Sequence, residues 1–583
     1  MAAVTRMMAD AASYAPAPER KTAKVLRLPK RLRNVEVVDL LRLFEQLKGE
    51  RSNWDVHWQE VKDRVWPHGS DFTTQRAQGD KRTEQMLDAT AALALEKFAA
   101  ALESLLTPRY RDWHTLRAVD DELNDDDDVK AWLELANRRL FQSRRAPLSG
   151  FYANAHEGYK SLGAYGNTCM FIDEEDDGSL RYRHQTIAST YVMLGPSRNI
   201  DTVFWAYRHT AKQSYQMWGE QTPPKALEAL STNPLQEHQY LHVVRPNQWR
   251  DPYAMGEHGM AWESVYLCVD DQTLISTGGY RQLPYVYSRY TLNPYETYGR
   301  GPGMLVLPNI KILQEQQKTF LRAGHKVVDP PLLLRDEGVL GVGSKTVRLA
   351  PSGLNYGAVS PDGKPLILPL QTGARLDLTL QMMERERITI EDAFLVRLFQ
   401  ILVEHPQMTA TEALIRANEK GQLLAPAVGR QQSEFLGPLV HRELALLLAS
   451  GRIPPPPPEL EEYEVEYESE ATRAQKSASI AGVQRTLEVI GPLYEADPAS
   501  LLKFKTEKII EESFEAQGVP SELLRTEEEY AEARAAMDQA AAARHAMEMV
   551  QGGASAARDM SQAAPTGAPV GQGGNPVATA GMV

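Results

Sequence analysis

The sequence predicts an α+β fold in which helical and mixed segments follow one another along the chain. Three observations predict it. Between residues 35 and 149 apolar side chains recur every three or four positions, the period of a helix with one buried face. Between 150 and 303 short apolar-aromatic runs are parted by turn signals such as Asp177-Gly178 and Gly195-Pro196, the pattern of strands. Past Gly303 the chain turns helical again, interrupted by an insert at 330–371 whose six glycines and short apolar runs read as a small β module.

Taken in order, residues 1–34 carry alanine and proline and then a basic run from Arg20 to Arg33, and read as a flexible arm. One long amphipathic helix is predicted from Val37. Leu40, Phe44, Leu47, Trp54, Trp58, Val61 and Val65 form its stripe, with Arg51 as the single gap and Pro67 as the stop. An alanine-rich helix is predicted over 82–106. The acidic cluster Asp120, Asp121, Glu122 and Asp125 to Asp128 precedes a further helix. No glycine interrupts that cluster as a calcium loop requires, so its aspartates read as caps and as complements to the helix dipole. FYANAHEGYKSLGAY is helical and stops at Gly166; the strands TCMFIDEED, SLRYRHQTI, STYVMLGPS and DTVFWAYRHT follow. Two short helices, AKQSYQMW and PKALEAL, lead to the strands HQYLHVVRP, WESVYLCVDD and QTLISTGGY.

The stretch 281–331 organises the rest. It opens as an aromatic strand and passes through the turn-rich knot Tyr298-Gly299-Arg300-Gly301-Pro302-Gly303. A helix then starts at 304 or 308 and runs to about 323. A second helix is predicted from about 374, with a bend near Ile388, and ends by His405-Pro406. Further helices are expected within 409–423 and over 431–449, then a stiff proline run at 454–458, a charged strand EEYEVEYESE and more helices. The last 33 or so residues have the composition of a disordered tail.

Composition limits the function classes. A chain of 583 residues with 43% hydrophobic and 24% charged content has room for several cores and fits a soluble globular protein. The net charge of -13 argues against a surface that is basic overall, although gripping DNA needs only local positive charge. Cys169 and Cys268 are too few for a disulfide scaffold and fit a reducing compartment. No run of 18 apolar residues exists, and Arg6 and Asp10 interrupt what a signal peptide would need as an apolar core, so cytoplasmic synthesis is expected.

Catalytic groupings are sparse. His238 and His242 give the single His-x-x-x-His spacing, but they lack the glutamate of a zinc-protease motif. On the strand predicted there they lie about 13 Å apart. No Cys-x-x-Cys occurs; Gly343-Ser344-Lys345 reverses the order a phosphate-binding loop needs; no Gly-x-Ser-x-Gly exists. With 77 acidic residues, carboxylate pairs carry no information. No catalytic, cofactor or metal site is therefore expected.

The order of several segments resembles the head-to-tail connector, or portal, family of short-tailed, podovirus-like bacteriophages. The segments are FEQLKGERSNWDVHWQEVKDRVWP; DATAALALEKFAAALESLLTPRYRDWHTL with Asp88, Pro108 and Trp113; HEGYKSLGAYGNTCMFIDEE; YVYSRYTLNPYETYGRGPGMLVLPNIKILQEQQKTFLRAGHKVVDPPLL; and MTATEALIRANEKGQLLAPAVGRQQSEFLGPLVHRELALLLASGRIPPPP. Together they extend over about 35–520.

The resemblance implies a non-enzymatic portal fold assembled as a ring, conventionally of twelve subunits. Its divisions would be a flexible basic arm (1–34), a helical part of the wing (35–149), an α+β wing (150–303) and stem helix one (304–329). A clip (330–372), stem helix two (373–396), a wing return with linker (397–470), a helical crown (471–550) and a disordered tail (551–583) would follow. It implies a virion component at the portal vertex, assembled in host cytoplasm. Double-stranded DNA would pass through without sequence-specific binding. The implied partners are the terminase large subunit, tail adaptor proteins, and major capsid and scaffolding proteins. Gln314, Gln316, Gln317, Lys318, Arg322 and Lys326 are candidates to face the channel or a neighbour. Arg289 and Arg300 either fix subunit interfaces through carboxylates such as Glu296 or are simply solvated. Tyr298, Gly299, Gly301, Pro302 and Gly303 are the expected hinge between wing and stem. Two rival readings stand beside this one: another structural head-tail adaptor or minor capsid protein, and a packaging nuclease or ATPase, which the missing motifs disfavour.

Overall fold

The computed structural model describes residues 30–334, 358–370, 376–400, 426–467 and 529–544, apart from 75, 78, 176, 255, 257, 258, 361 and 531. The chain divides into two compact units, Met1–Gln475 and Lys476–Val583. In the second, the described residues between 529 and 544 are helical. The expected tail, most of the crown and clip segments, the helix expected within 409–423 and arm residues 1–29 lie outside the described residues.

The opening stripe makes two helices instead of one, α1 (Lys30–Glu50) and α2 (Ser52–Arg64). Helix α1 starts at Lys30, so the last part of the expected arm is already helical. Arg51 sits at the break, and it is an anchor, not a gap. Its buried guanidinium donates to the carbonyls of Ile187 (2.9 Å), Thr190 (2.8 Å) and Ala188 (2.8 Å), and lies 3.6 Å from the Tyr191 ring centroid. The two halves of the stripe enter different cores. Leu40, Phe44 and Leu47 pack with Phe204, Val243 and Val265, whereas Trp58, Val61 and Val65 join the main core.

Helix α3 (Thr90–Leu106) is shorter than the predicted 82–106, because residues 82–89 form turns and irregular backbone. Strand β1 (His114–Ala118) follows. The acidic cluster caps as expected: Asp120 accepts from the Glu122 amide and Asp126 from the Val129 amide at the start of α4 (Asp127–Arg145). Helix α5 (Phe151–Tyr165) ends at Gly166, whose φ of 76° puts it in the left-handed region that favours glycine.

Strands β2 (Asn167–Glu174), β3 (Leu180–His184), β4 (Thr190–Leu194) and β5 (Ile200–Thr210) fall where the turn signals divide the sequence. A capping box between Thr210 and Gln213 starts α6 (Ala211–Trp218), and Pro224 opens α7 (Pro224–Thr232). Strands β6 (Glu237–Pro246), β7 (Trp262–Cys268) and β8 (Thr273–Tyr280) complete a five-stranded antiparallel sheet in the order β4-β5-β6-β7-β8. Helix α1 covers one face of it.

On the other face His242 bonds Tyr285 Oη (2.7 Å) and Ser264 Oγ (2.9 Å) and stacks on Tyr266. Burial pushes its pKa down to about 3, so it is a neutral core histidine. Strand β9 (Tyr285–Arg289) joins β2 in a three-stranded sheet, β3-β2-β9.

After a single helical turn, Pro302–Leu305, comes α8 (Leu307–Val328). Strands β10 (Leu332–Leu334) and β11 (Ile367–Pro369) pair antiparallel, Leu333 opposite Leu368. Helix α9 (Leu376–Ala393) continues unbroken through Ile388, near which a bend was expected. The break falls at Phe394-Leu395 instead, Leu395 taking a φ of 59°, and α10 (Val396–Gln400) resumes the helix.

A π-helical turn, Gln432–Leu436, precedes α11 (Gly437–Ala449). The charged strand becomes β12 (Tyr463–Tyr467), paired with β1, a partner the sequence reading did not foresee.

Candidate functional site

The long helices α8 and α9 lie against each other, joined across their flanks by Asn309 Nδ2 donating to Glu386 Oε2 (2.9 Å). The stripe Leu307, Ile310, Leu313 and Gln314 buries the base of α8. From Glu315 to Val328 every residue is half-buried or exposed. Beyond the helix pair, β10 and β11 close the ends of the insert.

Gln314, expected to face a channel or a neighbour, is turned inward. Its Oε1 accepts from the amides of Leu87 (2.5 Å) and Asp88 (3.0 Å), and its Nε2 donates to the Asp88 carbonyl (2.9 Å). Position 314 follows 307 and 310 on the buried stripe, so helical spacing could have revealed this. Asp88 also takes Arg387 of α9 through Nη2 (2.7 Å) and Nε (3.1 Å), and accepts from the Thr90 amide (2.9 Å). Burial opposes its charge, but the bonds from Thr90 and Arg387 prevail and hold its pKa below the usual carboxylate range. One aspartate thus clamps both long helices to the start of α3.

The glycine knot is packed without slack. A Cβ on Gly301 would meet the Leu162 carbonyl oxygen and the Gly166 nitrogen at 2.7 Å. One on Gly299 would meet the Gly166 carbonyl oxygen at 2.6 Å, and one on Gly303 the Ala164 carbonyl oxygen at 3.0 Å. Asn167 bonds both the amide and the carbonyl of Gly299. Tyr298 is buried edge-on against Trp58, and Pro302 is buried with it. Backbone lies directly on backbone here. The expected hinge therefore has the geometry of a rigid seat.

Arg289 does not pair with Glu296. It is buried, and bonds Glu434 through its amide (2.9 Å), Nε (3.2 Å) and Nη2 (3.0 Å), while Gln431 takes Ser288 Oγ and donates to the Arg289 carbonyl. This brace binds β9 to the π-helical turn inside one chain, which removes Arg289 from the candidates for a subunit interface. Arg300 does pair with Glu296 (2.6 Å), four residues away, and lies over the Trp54 ring. On α8, Gln316 and Gln317 are half-buried. Lys318 is half-buried beside Glu315 (3.5 Å), and Arg322 and Lys326 are exposed.

One fully buried polar centre was not foreseen. Arg144 grips Glu443 through Nε (3.0 Å) and Nη2 (2.5 Å); its Nη1 meets His114 Nε2 (2.7 Å), and Tyr182 Oη donates to Glu443 Oε1 (2.6 Å). Burial and the neighbouring guanidinium hold the His114 pKa well below its usual value. Four elements, α4, β1, β3 and α11, meet at this point. Arg144 and Glu443 lie 299 residues apart, so no local pattern announces it.

These arrangements define a class: a scaffold chain, whose buried charges fasten element to element, carrying a pair of long helices with a strand-closed insert at their end. The chain belongs to the bacteriophage head to tail connecting protein family, whose sequence model matches residues 38–524. It is 28% identical over 536 residues to the portal protein of Salmonella phage epsilon15, covering 90% of this chain and 95% of that one. It is also 28% identical over 500 residues to the probable portal protein of Bordetella phage BPP-1, covering 83% and 88%. A component of the phage head-tail junction is what these relations describe. No described helix is long and apolar enough to cross a membrane.

Proposed function

We propose that this chain is the subunit of a portal: a ring at one capsid vertex through which DNA enters during packaging and leaves during ejection. The observation that carries the reading is the similarity to phage portal proteins over nearly the full length of both chains. The helix pair with its strand-closed insert supports it. Two struts per subunit can build a closed wall, and cyclic symmetry repeats one heterologous contact around it. In this reading α8 and α9 are the stem, 330–372 is the clip that engages terminase and later tail adaptors, and the body before the knot is the wing. The ring has twelve subunits, and the chemistry of packaging belongs to the terminase, not to this chain. The net charge of -13 supports a channel that does not hold DNA phosphates.

Negative-stain images of the purified full chain test the reading. Annular particles are expected, with a central hole on the order of 20 Å or more, because a duplex must pass its whole diameter. Monomers under all conditions would overturn it. Deleting 330–372 is expected to leave rings that no longer bind terminase; loss of the rings themselves would refute a modular clip.

A further inference from the structure

We infer that successive copies of this chain are joined by charge between their long helices, the outer stripe of α8 on one copy docking against the outer stripe of α9 on the next. The inference rests on the ring reading and names the surface that makes the ring.

The two helices carry opposite charge. Helix α8 holds four Lys or Arg against one Glu, whereas α9 holds five Asp or Glu against two Arg. The charges are ordered. On α8, Lys311, Glu315, Lys318, Arg322 and Lys326 follow at steps of three and four, so they share one side. On α9, Asp377, Leu380, Glu384, Ile388 and Glu391 do the same, acid alternating with apolar.

Each stripe is only partly used inside the chain: Lys311 pairs with Glu60, Lys318 with Glu315 and Glu384 with Arg387. Leu313, Met383 and Ile390 are buried in the main core, whereas Leu380 is 46% and Ile388 38% exposed. The side chains of Arg322, Lys326, Asp377 and Glu391 make no hydrogen bond or ion pair among the described residues. Exposed Leu380 and Ile388 set between acids complement a partner helix that carries basic groups beside aliphatic ones, and α8 does: Ile312 (47% exposed) and Leu321 (44%) flank the basic stripe, one on either side. Contact between unlike faces is heterologous, so it repeats from copy to copy and closes as a ring. This assigns Lys318, Arg322 and Lys326 to the neighbouring subunit instead of to DNA.

Two full-length variants test it. One reverses α8 (Lys318→Glu, Arg322→Glu, Lys326→Glu); the other reverses α9 (Asp377→Lys, Glu384→Lys, Glu391→Lys). Assembly is read by mass photometry and negative stain, and folding by circular dichroism. Wild type is expected to form rings, and each variant alone to lose at least tenfold in ring yield. An equimolar mixture is expected to regain rings in which the two chains alternate, since each unlike junction restores a matched pair. Rings from either reversed variant alone at the wild-type yield overturn the inference while leaving the portal reading intact, as do rings that merely retain DNA differently. Two folded variants that stay unassembled when mixed also overturn it. A wild type that forms no ring refutes the portal reading itself. Where a triple reversal does not fold, Arg322→Gln with Lys326→Gln is expected to lower ring yield and flatten its salt dependence; an unchanged yield and salt profile overturns the inference.

Discussion

The Arg144–Glu443 centre and the outer sides of α8 and α9 treat charge in opposite ways. At the centre both side chains are fully enclosed, every contact is made within the chain, and four elements converge on it. On the helix pair the charges stand in solvent, sorted by sign, with several lacking any partner among the described residues. The difference separates two uses of ionic groups. Enclosed pairs fix how one chain folds, and exposed sorted charges are available for contacts beyond it.

The sharpest way to break this contrast is to remove one member of the enclosed pair. Glu443→Ala leaves the Arg144 guanidinium buried and uncompensated, and is expected to cost about 3–5 kcal/mol in urea unfolding. Arg144→Met combined with Glu443→Leu should recover much of that loss, since an apolar pair carries no desolvation penalty. A single variant within 1 kcal/mol of wild type would show that the centre is dispensable.

Acid should act on the body in the same sense. His242 has a folded pKa of about 3 against 6.5 for the free side chain. Protonation therefore favours the unfolded chain, and stability falls as pH drops below about 6.5, by up to about 1.4 kcal/mol per pH unit for each such histidine. Unfolding midpoints at pH 7, 6 and 5 measure the slope, and His242→Asn should make it shallower. An unaltered slope would contradict the assignment.

A smaller effect is expected at the seat of the helix pair. Gly301→Ala forces a methyl group onto three backbone atoms and should cost about 1–3 kcal/mol by thermal unfolding. Smallest, and opposite in sign, is Gly324→Ala on the outer part of α8. A Cβ there meets nothing within 4 Å, and alanine gains roughly 0.5–1 kcal/mol in helix propensity. Equal destabilisation by the two substitutions would erase the distinction between the packed seat and the thinly covered outer part of α8.

What could be read from sequence was local. Asp120 and Asp126 act within three residues, and the strand boundaries follow turn residues, so both were legible. Arg51 was misread because helical periodicity registers a charged residue as an interruption and says nothing about carbonyls 136 to 139 residues away. The helix is interrupted at Leu395 and not near Ile388, because a positive φ, rare for leucine, is not announced by residue type. Pairing of β1 with β12 and of Arg289 with Glu434 joins chain segments that no spacing rule connects. The glycines of the knot were singled out correctly as special. Their reason is close approach to Gly166 and its neighbours, and flexibility alone does not distinguish the two.

The shallow burial of α8 has a mechanical consequence. Its buried stripe ends at Gln314, and the fourteen residues from Glu315 to Val328 extend about 20 Å further at 1.5 Å per residue. In a single copy this part, with α9 lying against it, is a cantilever. A sideways push at Val328 acts through that arm on a root made of Gln314, Asp88 and Arg387, so the greatest bending moment falls on the clasp and not on the tip.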